Sequence, residues 1–184
     1  MTSKALILLA PGFEDLEAIT TIDILRRGGV QVEVLALHAD EVTAAHGTTV
    51  VTDSNLGLLR EDRVFDAIVL PGGQPGTNNL AADERVLKRL QDQSVAGRWI
   101  GAICAAPKVL AAAGLLKGRR ITHYPGSLTE TETRGAEVID EPVVVDGNLI
   151  TGRSPGAAID FALALVEHLV DRETRDSVEA QLIR

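Results

Sequence analysis

The chain has 184 residues, of which 45% are apolar and 24% charged, and its formal net charge at pH 7 is −8. These proportions are typical of soluble globular proteins, and a chain of this length is expected to fold as one domain over residues 1–184. The acidic balance and the low aromatic content of 3% exclude the basic, aromatic surface with which sequence-specific nucleic-acid binders work. No stretch of about 18 apolar residues occurs, so neither a membrane span nor a membrane partner is expected.

Cys104 is the only cysteine of the chain. A lone cysteine excludes an intrachain disulfide and every zinc site built from several thiols, and it favours a cytoplasmic location. Free cysteines are among the most buried residues, so the thiol is either an inert part of the core or a reactive group. The position of Cys104 among the predicted elements distinguishes these two interpretations.

The first half of the chain alternates apolar runs with helical periodicity, which is typical of a parallel sheet wrapped in helices. In the second predicted element, Leu16, Ile19, Thr20, Asp23 and Ile24 lie at helical offsets. The predicted elements of this half, in chain order, are a strand at 5–9, a helix at 14–27, a strand at 30–37, a hairpin at 42–53, a strand at 67–70, a helix at 83–95, a strand at 98–102 and a helix at 107–116.

The second half is less regular but still mixes strands and helices. Asp146-Gly147 suits a tight primed turn and predicts a hairpin of strands 143–145 and 149–151. A short strand is expected at 120–123, a polar segment at 127–135, and a long helix at 157–170. The tail closes on Val178, Leu182 and Ile183, which predicts a final amphipathic turn. The chain is therefore an α/β protein.

Three loops at predicted strand ends carry unusual residues, at 10–17, 71–76 and 101–107. Ligands of doubly wound sheets bind at this edge, beyond the carboxyl ends of the strands. Cys104 lies in the third loop, between a strand end and a helix start, and small residues flank it as in the strand–nucleophile–helix turn of hydrolases. A helix start also lowers a thiol pKa. The placement therefore favours the reactive thiol.

The other two loops offer groups that suit a thiol nucleophile. The N–H groups of Gly72 and Gly73 could stabilise a developing oxyanion, although a plain turn explains this pair of glycines equally well. Glu14 and Asp15 are interpreted as surface complements of a helix dipole. Glu17 is expected to turn into the crevice, where burial would raise its pKa and allow it to move a proton.

The histidines give no metal site in the sequence. None of His38, His46, His123 and His168 is spaced from a carboxylate as a ligand pair would be, and no organic cofactor is expected either. Ala105 follows Cys104, so an adjacent Cys-His dyad is absent from the sequence.

Taken together, the loops resemble the DJ-1 branch of the ThiJ/PfpI superfamily, and the similarity extends over essentially the whole chain. The resemblance implies a flavodoxin-like three-layer sandwich, with a mostly parallel sheet and helices on both faces, and a homodimer. The matching stretches, in chain order, are GFEDLE at 12–17, VLPGG at 69–73, AICAAP at 102–107 and TGRSPG at 151–156.

The resemblance also implies roles for individual residues. Cys104 would be the nucleophile and an oxidation-sensitive thiol, and Glu17 the acid that hydrogen-bonds it. The amides implied in the oxyanion pocket are those of Gly72, Gly73 and Ala105.

Four further residues are implied at the pocket rim. Arg153 and His46 match positions on the dimer side, and His46 stands where the family often has arginine. DJ-1 proteins carry a histidine before a proline near the thiol, whereas here Tyr124 occupies that position and His123 precedes it. Because successive strand residues face opposite sides, His123 is expected to point away from Cys104.

The function implied is that of a glutathione-independent glyoxalase or deglycase, with a small 2-oxoaldehyde or an early-glycated amine or thiol as its substrate and partner. One alternative is a non-enzymatic oxidative-stress sensor or redox-regulated chaperone, in which Cys104 is oxidised to sulfinate. Another is a cysteine hydrolase or amidase, for which the adjacent histidine is missing.

Overall fold

The structure is a computed structural model that describes residues 2–183. Its strands are β1 (Lys4–Leu9), β2 (Gln31–Ala36), β3 (Glu41–Thr43), β4 (Thr49–Val51), β5 (Ser54–Asn55), β6 (Ala67–Leu70), β7 (Trp99–Ile103), β8 (Arg120–Ile121), β9 (Glu137–Val138), β10 (Val143–Asp146) and β11 (Leu149–Gly152). Its α-helices are α1 (Asp15–Arg27), α2 (Gly76–Ala81), α3 (Glu84–Val95), α4 (Pro107–Ala112), α5 (Ala158–Leu169) and α6 (Arg172–Gln181).

Seven strands form the central sheet in the order β10-β11-β7-β6-β1-β2-β5. Every neighbouring pair is parallel except β10 and β11, which form the predicted antiparallel hairpin. The predicted hairpin of β3 and β4 is also present, as a separate two-stranded sheet. Because the strands are parallel, the loops that follow β1, β6 and β7 meet at one edge of the sheet.

The sheet is covered on both faces, and β1 shows this best. Ala5, Ile7 and Leu9 pack in the core cluster that contains the buried residues of α1 and α5. The alternate residues Leu6 and Leu8 pack in a second cluster with those of α3 and α4. Side chains alternate across a strand, so a strand buried on both sides is apolar at every position. This confirms the three-layer α/β sandwich.

The helical pattern predicted for α1 marks its buried side only in part: Ile24 is buried, but Leu16 and Ile19 are not. Leu16 and Ile19 are 52% and 44% exposed, whereas Glu17, Ala18 and Thr21 are buried. α1 packs against α5, and the stripe that faces α5 begins one residue later than the apolar pattern indicates. An acidic residue therefore enters the interior, and two large apolar residues remain at the surface.

Several elements escaped the sequence patterns because they are short or polar. β5 and β9 have two residues each, too few for any periodicity, whereas the short strand expected at 120–123 is present as β8. α2 has the sequence GTNNLA, in which glycine and asparagine have low helix propensity. The tail forms a ten-residue helix, α6, instead of a single turn, and Val178 lies on the buried side of this helix. Within residues 2–183, no helix is long and apolar enough to cross a membrane.

Candidate active site

Cys104 lies directly after β7, and its backbone has φ 63°, in the left-handed region that few residues other than glycine adopt. Two hydrogen bonds hold it there: its N–H donates to the Gly152 carbonyl at 2.8 Å, and its carbonyl accepts the Tyr124 N–H at 2.9 Å. Such conformations cost roughly 1–3 kcal/mol and persist where surrounding structure enforces them. The sharp turn predicted at this position is confirmed, and only 8% of Cys104 is exposed.

Glu17 projects from the first turn of α1 into the interior and is 0% exposed. Its Oε2 accepts the Gly72 N–H at 2.7 Å, while Oε1 is buried and accepts no hydrogen bond from the described residues. A buried carboxylate with an unsatisfied oxygen is costly, whereas a protonated carboxyl can use that oxygen as a donor. Burial without a partner for Oε1 therefore favours the neutral carboxyl over the carboxylate.

Gly72 brings the thiol and the carboxyl together. A Cβ at this position would lie 2.7 Å from both the Cβ of Cys104 and the Oε2 of Glu17, so only glycine leaves room for them to meet. Because the Gly72 N–H is donated to Glu17, it is not free to face an oxyanion, contrary to the expectation from the resemblance. Gly72 acts on the site through the carboxyl.

Burial governs the protonation of this pair. Desolvation raises the pKa of Glu17 from 4.5 to about 7, against the opposing effects of Cys104 and the Gly72 N–H. Burial also raises the pKa of the Cys104 thiol, and the negative charge of an ionised Glu17 raises it further. The sequence predicted that the helix start would lower this thiol pKa. The prediction is wrong, because burial and the charge of Glu17 together raise it. Each group retains its proton when the other has lost one, so the pair holds a single proton over a wide pH range.

A cavity of about 870 Å³ opens beside Cys104. Gly73 and Ala105, two of the residues that the resemblance implies as oxyanion donors, line it together with Cys104. Tyr124, 48% exposed, also lines the cavity, as predicted for the rim.

The other three predicted rim residues lie off this wall. His123 directs its Nδ1 toward the Tyr124 carbonyl oxygen at 2.8 Å and is not among the residues that line the cavity. Arg153 forms an ion pair with Asp140 at 2.6 Å. His46 reaches the cavity only through Glu14, since its Nε2 lies 3.3 Å from the Glu14 Oε2.

Glu14 and Lys108 are wall residues that the sequence patterns did not identify. Glu14 was interpreted as a surface complement of the helix dipole, but it lies on the cavity wall, and its charge raises the pKa of both Cys104 and Glu17. Lys108 follows Cys104 by four residues, about one helical turn, and this spacing is the signal that could have identified it.

Glu14, Asp15 and His46 each offer one potential ligand atom, and the three atoms lie within 4.8 Å of one another. The sequence showed no such set because the hairpin residue His46 is distant in the chain. Asp15 accepts the backbone N–H groups of His46 at 3.0 Å and of Thr48 at 3.3 Å, which lowers its pKa. These hydrogen bonds account for the proximity of the three side chains.

The comparisons with known proteins agree with this geometry. Protein dj-1beta of Drosophila melanogaster is 40% identical over 184 residues, covering 100% of this chain and 98% of the relative. The glutathione-independent glyoxalase DJR-1.2 of Caenorhabditis elegans is 39% identical over 176 residues, 95% of this chain and 93% of the relative. The crystal structure of Drosophila DJ-1beta superposes with a TM-score of 0.94 at 39% identity, covering 100% of this chain and 98% of the other. Residues 3–168 match the DJ-1/PfpI family. The chain belongs to the DJ-1/PfpI family.

Proposed function

We propose that the protein is a glutathione-independent glyoxalase and deglycase, in which Cys104 attacks 2-oxoaldehydes or early-glycated amines and thiols. The observation that carries this proposal is the buried Glu17 carboxyl, whose pKa is raised to about 7 beside the lone thiol. A group that titrates near neutral pH can both accept and donate a proton during turnover. The name of the Caenorhabditis elegans relative, a glutathione-independent glyoxalase, supports the same chemistry.

The reacting form of the pair is the one in which Glu17 holds the single proton and Cys104 is the thiolate. In the first step the Cys104 Sγ attacks the aldehyde carbon of the substrate, C1. The C–S bond forms as the carbonyl π pair moves to oxygen, where the N–H groups of Gly73 and Ala105 stabilise the negative charge. The Glu17 carboxyl then protonates this oxygen, giving a hemithioacetal and leaving Glu17 ionised.

In the second step the Glu17 carboxylate removes the proton from C1, which gives an enediol, and after this proton has exchanged with solvent Glu17 delivers a proton to C2. The hydroxyl proton on the C1 oxygen passes to the C2 oxygen, which leaves a thioester of a 2-hydroxy acid on sulfur. Water attacks the thioester carbonyl, the C–S bond breaks, and sulfur keeps the electron pair. C1 is oxidised as C2 is reduced, so the sum is aldehyde plus water to 2-hydroxy acid without an external oxidant. An early-glycated amine or thiol carries a hydroxyl and the amine or thiol on C1. With this substrate the Cys104 Sγ displaces the amine or thiol from C1, Glu17 protonates the leaving group, and the resulting hemithioacetal continues as above.

The test is turnover of methylglyoxal by the purified protein without glutathione, followed by NMR in D₂O. We expect lactate as the product, with deuterium at C2, because a proton carried by Glu17 exchanges with solvent. Protein that forms no lactate above the heat-denatured control would exclude the proposal. Lactate without deuterium at C2 would exclude the role assigned to Glu17.

An oxidative-stress sensor is the second candidate, and the observation that favours it is the protonated, buried carboxyl beside a lone thiol. In a cytoplasmic setting, peroxide would convert the Cys104 thiolate to sulfenate and then to sulfinate, since the chain has no second cysteine to capture the sulfenate as an intrachain disulfide. The Glu17 O–H would donate to the sulfinate. Intact mass after peroxide treatment tests this: we expect a gain of two oxygens that Cys104→Ala abolishes. A cysteine amidase is less well supported, because no histidine lines the described cavity.

We further propose that the protein acts as a homodimer through α1 and the β3–β4 hairpin. Leu16 and Ile19 on α1 are 52% and 44% exposed, and Val51 on β4 is 74% exposed. Exposed apolar residues on adjoining elements are typical of an interface.

Leu16→Asp is therefore expected to weaken the dimer by at least about a hundredfold, because it places a charge in an apolar contact. Light scattering with size-exclusion chromatography measures the change. Val95→Asp is the matched control, since Val95 is 91% exposed on α3, in the opposite helical layer. A dimer that survives Leu16→Asp, or a wild-type monomer, would contradict this interface.

A further inference from the structure

We propose that Lys108 selects carboxylate-bearing 2-oxoaldehydes over neutral ones by binding the substrate carboxylate. This inference rests on the proposed glyoxalase function and adds a substrate class to it. It arises from one charged side chain that shares the cavity with Cys104 and that the reaction steps above do not use.

Lys108 follows Cys104 by four residues and lines the same cavity, as well as a neighbouring pocket that it shares with Glu132. Its N–H donates to the Ala105 carbonyl at 3.1 Å, so the chain turns helically straight after Cys104. The Lys108 side chain is 30% exposed and lines the same cavity as the thiol. A substrate whose carbonyl carbon reaches Sγ therefore extends along the wall on which Lys108 lies.

The ammonium of Lys108 keeps donors for a ligand. Its ion pair with the Glu132 Oε1 is 3.8 Å long, which is longer than a hydrogen bond. The other carboxylate oxygen of Glu132 accepts the Thr129 N–H at 2.7 Å and the Thr129 hydroxyl at 2.9 Å. Glu132 thus uses one oxygen for its own turn and faces Lys108 with the other, and a lysine ammonium carries three donors, so donors remain for a ligand.

The charges on the wall determine the kind of anion. Lys108 is the only cationic side chain among the described residues that line the cavity, and Glu14 is the only acidic one. A single ammonium matches the single charge of a carboxylate, whereas a phosphate dianion would lack a second cation and would face Glu14. Repulsion by Glu14 also orients the substrate, with its carboxylate toward Lys108.

The experiment compares kcat/KM for 4,5-dioxopentanoate, a 2-oxoaldehyde that carries a carboxylate, with kcat/KM for methylglyoxal. Lys108→Met is expected to lower the ratio of the two at least about tenfold, mainly through KM, as for the loss of one charge-assisted hydrogen bond. Lys108→Arg keeps the charge and is expected to restore most of the ratio. Lys117→Met, at an exposed lysine outside this cavity, is the matched control and leaves the ratio unchanged.

A ratio unchanged in Lys108→Met, or equally reduced in Lys117→Met, would overturn the inference. If the wild-type protein converts neither aldehyde, the proposed function fails, and binding decides the Lys108 inference separately. The probe is then 4-oxopentanoate, a monoanion with the same carboxylate arm as 4,5-dioxopentanoate, titrated by NMR into the wild-type protein and Lys108→Met. Weaker binding to Lys108→Met by about tenfold or more supports the carboxylate site, and equal binding overturns it.

Discussion

Cys104→Ser is expected to lower kcat/KM for methylglyoxal by at least about a thousandfold, because a serine hydroxyl is a much weaker nucleophile than a thiolate. The variant preserves the size of the side chain and changes one atom at the base of the cavity. Glu17 remains in place, but the group beside it is a neutral hydroxyl and no longer a thiolate. Initial rates of lactate formation measure the effect.

Cys104→Ala is the companion variant, since it removes the nucleophile without introducing a hydroxyl. Both variants keep the strained backbone at position 104 (φ 63° in the wild-type protein), so both are expected to melt within a few degrees of each other. If either keeps more than about a tenth of the wild-type rate, Cys104 is not the nucleophile and the covalent mechanism is wrong.

Glu17→Gln is expected to lower kcat/KM by roughly 10²–10³-fold, because glutamine occupies the same space but cannot carry a proton between carbons. The glutamine oxygen can still accept the Gly72 N–H, so the loop after β6 is retained. A variant with nearly wild-type rates would show that another group moves the proton.

The pH profile distinguishes the proton-transfer role from a purely structural one. Below pH 7 the pair holds two protons and no thiolate exists, so the wild-type rate is expected to rise as the first proton leaves, with an apparent pKa near the value of about 7 assigned to Glu17. This apparent pKa belongs to the pair. In Glu17→Gln the thiol titrates alone, so the rise is expected to move away from pH 7. If the rate of Glu17→Gln rises at the same pH as that of the wild-type protein, the coupling between Glu17 and Cys104 is contradicted.

The same pKa shift predicts how stability changes with pH. In the unfolded chain Glu17 ionises near pH 4.5, whereas in the folded protein it keeps its proton until about pH 7. The free energy of unfolding of the wild-type protein therefore falls between these two pH values, by roughly 3 kcal/mol from this group, and then levels off. Glu17→Gln lacks this loss, so its stability relative to wild type should rise across the same window. Urea denaturation of both proteins at pH 4.5 and pH 8 measures the difference. If the free energy of unfolding changes equally in wild type and Glu17→Gln between these pH values, the raised pKa is contradicted.

Much of the fold follows from local patterns in the chain. The uninterrupted apolar run of β1 predicts a strand buried on both faces, and Asp146-Gly147 predicts the hairpin of β10 and β11. Cys104 between small residues, at the junction of a strand and a helix, predicts a tight turn that exposes a nucleophile. These signals are readable because each depends on residues that are neighbours in sequence, so backbone geometry alone relates them.

Other features depend on contacts between distant segments. Leu16 is apolar, like most core residues, and Glu17 is acidic, like most surface residues. Leu16 is nevertheless exposed and Glu17 buried, because packing against α5 sets the rotation of α1. The Gly72 N–H has the sequence context of an oxyanion donor, but it donates its hydrogen bond to the Glu17 carboxyl. Sequence spacing could not predict these outcomes.

The sequence by itself therefore determined the α/β class, the strand-end position of the lone thiol and the candidate acid at Glu17. Only the tertiary structure decided which groups surround that thiol: the Glu17 carboxyl with its raised pKa, and the cavity that Gly73, Ala105, Glu14 and Lys108 line with it. The physical reason is that burial and charge at the site are properties of the assembled loops after β1, β6 and β7. Desolvation depends on every segment that excludes water, and no single stretch of sequence encodes it.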